Sequence, residues 1–234
     1  MGTVDKHTQP RCLGAAVLLM LCLGLATAAT LRAWADIMTL PARNTMTMWE
    51  QQGTVSNQQE WRAALAQMQQ AHHLEGSNAD YVFDLGRLFE WQALTQSQWT
   101  LHAHRYRSQA IRYFRTVTTM RPSWGFAWAH LAASKVLNQE LDNEAIAALE
   151  KALVLGPWEP GTQRKVIWLG TSIWNQLPIE LQDKLKLGLR RALRLQPREV
   201  IDITIATGWE DHILPFLEQE LDRQYLKRRL RQKI

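Results

Sequence analysis

Residues 127–157, AWAHLAASKVLNQELDNEAIAALEKALVLGP, leave this chain few ways to fold. Trp128, Leu131 and Ala132 in the first half, and Ala145, Leu149 and Ala152 in the second, stand three and four apart. That period puts apolar side chains on one stripe of a helix. Asn138 to Asn143 supplies a polar turn between two such helices. Gly156 and Pro157 end the second one, because proline lacks an N–H and its ring clashes with the carbonyl four residues back. One hairpin of this kind cannot bury its apolar faces alone, so the sequence predicts neighbours like it.

The order W-x-x-L-A, then A-x3-L-x2-A, then Pro five residues on resembles the tetratricopeptide (TPR) repeat, with one residue too many in the turn. Three related segments keep the phase. Upstream, Leu85, Gly86 and Phe89 match the first helix, and Ala110, Phe114 and Val117 precede Pro122. Downstream, Leu169 and Gly170 lead a repeat in which Leu185, Leu189 and Ala192 precede Pro197. A fourth second helix holds Ala64, Met68 and Ala71, with Gly76 where proline is expected. Gly76, Pro122, Pro157 and Pro197 lie 46, 35 and 40 residues apart, against about 34 for a standard repeat. The expected fold is therefore all-α: TPR-like hairpin repeats, an α-solenoid, over residues 57–208.

Ahead of them, residues 12–31 carry no charge, with Lys6 and Arg11 before them and Arg32 after. Twenty residues at about 1.5 Å each span the roughly 30 Å of bilayer hydrocarbon. This reads as a transmembrane anchor behind a cytoplasmic tail, 1–11, with the body sent across the membrane by the positive-inside rule. A signal peptide cleaved after Ala26-Thr27-Ala28 is the competing reading. Residues 32–56 look like a connector of mixed character, in which Trp34, Met46, Met48 and Trp49 either sit near the interface or pack on the first repeat.

From Asn57 the pattern is helical, with Asn57 placed to cap and Glu60 three residues on. Ser77 or Asn78 caps the next helix. The link to the helix of Ala110 is about twelve residues longer than a standard repeat allows, so either its helices are extended or a loop protrudes. It contains Trp91, Trp99, His102 and His104. At the C-terminus, residues 209–234 read as a closing helix with Pro215 in its first turn and Leu217, Leu221, Tyr225, Leu226 and Leu230 on its apolar face. That helix either caps the array or, through six cations within residues 223–234, lies on an anionic membrane surface.

LGPWEP at 155–160 is more distinctive than the repeat frame. With LRAWAD after the apolar N-terminus, NADYVFDLG at 78–86 and W-x-x-L-A-x-x-K at 128–135, the chain resembles the VpsP-like family of bacterial exopolysaccharide-biosynthesis proteins. The resemblance implies a single-pass inner-membrane protein with a periplasmic helical-repeat domain that serves polysaccharide assembly and export. It brings no catalytic residues.

Charge excludes one function class. The chain carries +5 overall, but without residues 1–32 and 223–234 it holds 18 basic against 21 acidic groups, a net of −3, so no nucleic-acid partner is expected. Both cysteines, Cys12 and Cys22, lie in the apolar stretch, which rules out a disulfide framework or a cysteine metal site in the body. No phosphate loop, H-E-x-x-H or G-x-S-x-G occurs. His72, His73, His102 and His104 would meet at a metal only by tertiary accident, and neither Glu159 with Glu180 nor Glu210 with Asp211 stands in the context of a glycosidase pair. No catalytic residue, metal or cofactor is expected. Trp61, Trp128 and Trp168 take core positions of the repeats, whereas Trp91, Trp99, Trp124 and Trp158 are candidates for a partner or glycan surface. The function expected is a non-enzymatic scaffold that binds partner proteins of polysaccharide assembly through a groove. The alternatives are a generic envelope TPR adaptor and a glycan-modifying enzyme.

Overall fold

A computed structural model describes residues 9–232. Lys6, on which the expected orientation rests, and Lys233 of the basic tail lie outside them. Every regular element among the described residues is helical. The chain forms two compact units, one ending at Tyr81 and one starting at Val82.

The first unit is built on α1 (Gln9–Gln52) and α2 (Gln58–Leu74). The segment expected as a connector is mostly helix, since α1 continues from the apolar stretch to Gln52. Its fully buried residues Ala35, Thr39, Ala42, Met46 and Trp49 recur four, three, four and three apart, and α1 packs along α2. On α2 the buried set is Trp61, Ala64, Met68 and Ala71. The periodicity of 32–52 is hard to read in sequence because the α1 stripe includes two alanines and a threonine, and because exposed Ile37 and Leu40 blur it. Gly53 turns the chain with φ of 71°, a conformation glycine adopts without a Cβ penalty. Asn57 then caps α2, accepting from the Glu60 N–H at 2.8 Å. At the far end Arg32 pairs with Glu75 at 3.1 Å, and the Tyr81 hydroxyl donates to Asp36 at 2.7 Å.

The second unit contains most of α3 (Ala79–Leu94), then α4 (Leu101–Met120), α5 (Gly125–Leu137), α6 (Asn143–Leu155), α7 (Pro160–Ser172), α8 (Ile179–Leu195), α9 (Pro197–Ala206), α10 (Glu210–Ile213) and α11 (Glu220–Gln232). Helices of this unit pack on their neighbours: α5 on α4, α6 and α7, and α7 on α6, α8 and α9. α6 also packs on α8, and α8 on α9. One apolar core runs through this unit from Val82 to Leu226. Of the residues picked out by repeat phase, Leu85, Gly86, Ala110, Phe114, Leu131, Ala145, Ala152, Leu169, Gly170 and Ala192 are buried. Trp128, Pro157 and Pro197 are half-buried, and Pro122 is exposed in its turn. The long link resolves into longer helices, leaving only residues 95–100 between α3 and α4.

The extra residue in the α5–α6 turn has a physical account. Gln139 adopts φ of 65°, and the N–H groups of Gln139 and Glu140 reach back to the carbonyls of Val136 and Lys135 at 3.0 and 2.9 Å. This is the paired closure that satisfies the last carbonyls of a helix, and glycine usually takes the left-handed position. Gln139→Gly should therefore stabilise the protein by about 1 kcal/mol, measured as a rise in denaturant midpoint. The turn is also clamped electrostatically. The buried Lys135 ammonium lies 2.9 Å from Asp142 and 2.7 Å from Glu144. Arg115 of α4 donates twice to Glu144, at 2.7 Å each. Hydrogen bonding to Arg115 helps hold the Glu144 carboxyl down at about 2.

The C-terminus departs from expectation in where its helix begins. Pro215 belongs to a single 3-10 turn, Leu214–Phe216, and α11 starts only at Glu220. Leu217 and Leu226 are buried as expected, but Leu221 points to solvent. α11 packs on α9, where Asp202 accepts from Tyr225 at 2.9 Å and from Arg229 at 2.7 Å. Arg198 and Arg228 lie over the Tyr225 ring. With Arg223, which donates to the Leu217 carbonyl at 3.0 Å, three cations of the tail, Arg223, Arg228 and Arg229, are thus engaged within the fold.

Candidate functional site

Three helices of the second unit meet at a buried polar cluster. Glu90 of α3 accepts from Ser134 of α5 through Oε1 at 2.8 Å, and its Oε2 lies 2.6 Å from Nδ1 of His130, also on α5. Lys165 of α7 brings its ammonium within 3.4 Å of the same imidazole nitrogen. A contact this short to a carboxylate requires the proton on Nδ1, so neutral His130 leaves Nε2 as a bare acceptor. That atom is buried without a hydrogen-bond partner. Around the imidazole stand the rings of Phe83, Phe114 and Phe126, with centroids 5.0, 5.1 and 4.6 Å away.

Burial dominates the imidazole and pushes its pKa from 6.5 down to about 4. Burial pushes the Glu90 carboxyl the other way, but the charges of His130 and Lys165 and the hydrogen bonds from His130 and Ser134 outweigh it, and the net shift is downward. At neutral pH the cluster therefore holds a carboxylate beside a neutral imidazole. Chemically this is a pin across α3, α5 and α7. In a Ser–His–acid relay the imidazole stands between hydroxyl and carboxylate; here the carboxylate stands between the other two, and a carboxylate held ionised is a poor base for a serine proton.

A pH dependence follows. Both groups have folded-state pKa values below their ordinary ones, so both contribute stability that is present at high pH and lost on acidification. The His130 contribution is complete above its ordinary 6.5 and falls away toward about 4. The Glu90 contribution follows below 4.5. The melting temperature should fall between pH 6.5 and 4, with a loss on the order of 2 kcal/mol. In His130→Gln, whose amide can still donate to Glu90, that slope should largely disappear. An equal slope in the two proteins would remove His130 as its source.

The four tryptophans proposed as a surface separate into two places. Trp91 is half-buried near the end of α3, and Trp99 is exposed between α3 and α4. Trp124 and Trp158 instead precede α5 and α7, in turns that touch: a Cβ on Gly125 would lie 2.5 Å from the Gly156 nitrogen. Trp124 packs against Phe83 at 4.6 Å, with Arg121 over its ring at 4.4 Å. Trp158 is exposed, with Arg191 5.5 Å from its centroid. Trp128, in α5, donates to the Pro122 carbonyl at 2.8 Å with the Lys151 ammonium over its ring. Trp124 is thus partly committed to the core, and Trp158 and Trp99 are the accessible members of the set.

Among the described residues, no group of three or more His, Cys, Asp or Glu is placed to hold a metal ion. Glu159 accepts from the Thr162 hydroxyl at 2.6 Å in the first turn of α7, while Glu180 is exposed at the start of α8. No known protein family matches the chain, and no curated protein is similar to it. The cluster of Glu90, His130, Ser134 and Lys165 escaped the sequence reading because its members belong to three helices. His130 lies 40 residues from Glu90 and 35 from Lys165, and nothing local marks any of them.

Proposed function

We infer that the protein is a membrane-tethered scaffold whose TPR-like repeats bind partner proteins of bacterial exopolysaccharide assembly and export. The observation that carries the tether is the continuity of α1. Val17 to Leu25 are exposed apolar residues on a helix long and apolar enough to cross a membrane, with a mean hydropathy of 2.1 over its most apolar window. The same helix continues into the α1–α2 pair, so the anchor and the first unit share one helix. Repeat character is supported by the phased framework, whose small residues Ala110, Ala145, Ala152 and Ala192 are buried where helices meet. A scaffold reading also suits a polar cluster that pins three helices and has no relay order. Tethering raises the local concentration of the domain for membrane-bound partners without any added contact. The polysaccharide role rests on the sequence resemblance alone.

The expected location is the inner membrane, single-pass, with the body in the periplasm. A reporter active only outside the cytoplasm, fused after Ile234, should be active, and the mature protein should retain Cys12 by mass. Crosslinking in cells should capture a polymerase, ligase or export component of a polysaccharide system. Capture of envelope proteins from an unrelated process would keep the adaptor and discard the pathway.

A further inference from the structure

The membrane-proximal end of the first unit carries an apolar surface that packing does not use. Trp34 and Ile37 on α1 are 57 % and 56 % exposed, and Leu74, the last residue of α2, is 43 % exposed. They are brought to one level because α2 runs back along α1 and Arg32 pairs with Glu75, the residue after Leu74. The geometry points to this end as a foot that rests in the headgroup layer of the bilayer crossed by α1, with Trp34, Ile37 and Leu74 in contact with lipid. The inference rests on the membrane reading of α1.

Distance along the helix selects lipid as the occupant. If the hydrocarbon ends at Leu31, a rise of about 1.5 Å per residue puts Trp34 roughly 4.5 Å and Ile37 roughly 9 Å beyond it. The polar layer on each side of a bilayer is about 5–8 Å thick. Trp34 therefore falls within it, where tryptophan is favoured because its ring is apolar and its N–H can be hydrated, and Ile37 just past its outer edge, within reach of its own side chain. Of the charges at this level, Arg32 and Glu75 are paired with each other and Asp36, between Trp34 and Ile37, accepts from the Tyr81 hydroxyl at 2.7 Å, which lowers the cost of bringing them to the interface. Met48 is equally exposed, at 50 %, but stands about 25 Å beyond Leu31 on the same helix. It is an internal control that lipid should not reach.

The test uses the full-length chain with Cys12→Ser and Cys22→Ser, reconstituted in phosphatidylcholine vesicles. Single cysteines introduced as Trp34→Cys, Ile37→Cys, Leu74→Cys, Met48→Cys and Leu21→Cys are labelled with an environment-sensitive fluorophore. Lipids brominated near the headgroup end of the acyl chain, or spin-labelled at the headgroup, serve as quenchers. Probes at 34, 37 and 74 should lose most of their emission to the shallow quenchers, the probe at 21 should respond to deeper ones, and the probe at 48 should respond to neither. Quenching at 21 with none at 34, 37 and 74 would leave the anchor intact and overturn the foot. Disulfide crosslinking of two Trp34→Cys chains would then identify a second copy as the cover. No quenching at 21 would instead remove the membrane reading itself.

Discussion

Ala152→Arg should unfold the second unit. Ala152 lies on the inner stripe of α6 and is fully buried; its carbonyl accepts the closing hydrogen bond from Gly156 at 3.0 Å. An arginine there must either hold a guanidinium that cannot lose its proton in a dry core or force α6 away from its neighbours. The cost is on the order of 3–5 kcal/mol, a large share of the 5–15 kcal/mol by which domains of this kind are stable. Circular dichroism should show a melt many degrees lower, or an insoluble product. Ala152→Ser, which adds one hydroxyl, should be far milder. A soluble, helical Ala152→Arg protein with an unchanged midpoint would mean that α6 does not pack through this face.

Gly125→Ala should be the second most damaging small change, although it adds a single methyl group. Gly125 opens α5 against the turn before α7, and an added Cβ would stand 2.5 Å from the Gly156 nitrogen and 2.8 Å from its Cα. Both are backbone atoms, so relief requires the two turns to separate. The expected cost is about 3 kcal/mol, toward the upper end for overpacking, or roughly 6–12 °C in melting temperature for a domain of this size. Gly170→Ala makes the informative comparison. There the added methyl meets the Cδ atoms of Leu185, the mobile end of a side chain, and a rotamer change can absorb part of the overlap. Gly170→Ala should thus lose clearly less. Equal losses would place the two turns further apart than described.

The two substitutions probe different information. The burial of Ala152 could be read in sequence from its spacing to Ala145 and Leu149, a period set by the helix itself. The need for glycine at 125 could not, since the clashing backbone belongs to a turn some thirty residues later, and Gly125 next to Trp124 reads only as a helix start. The Glu90–His130–Lys165 cluster belongs to the second kind. Trp158 and Trp99 fall between, flagged by composition as uncommitted and found exposed, while Trp124 proved to be half-packed against Phe83.

By itself the sequence determined what depends on a few consecutive residues. It set the helices of residues 57–208 and several of their ends, through the period of apolar positions, the cap at Asn57 and the breaks before Pro157 and Pro197, and it set the apolar run of 12–31. These are decided within a turn or two, because backbone hydrogen bonds and capping act over three to five residues. The tertiary structure alone decided that α1 runs on through 32–52, that Gln139 takes the left-handed position, that the final helix starts at Glu220, and that three helices share one buried carboxylate. A stripe such as Ala35, Thr39 and Ala42 has little preference of its own. It becomes a buried helix face only when α2 covers it, and the burial of a polar group such as His130 is tolerable only when partners from distant parts of the chain arrive with it.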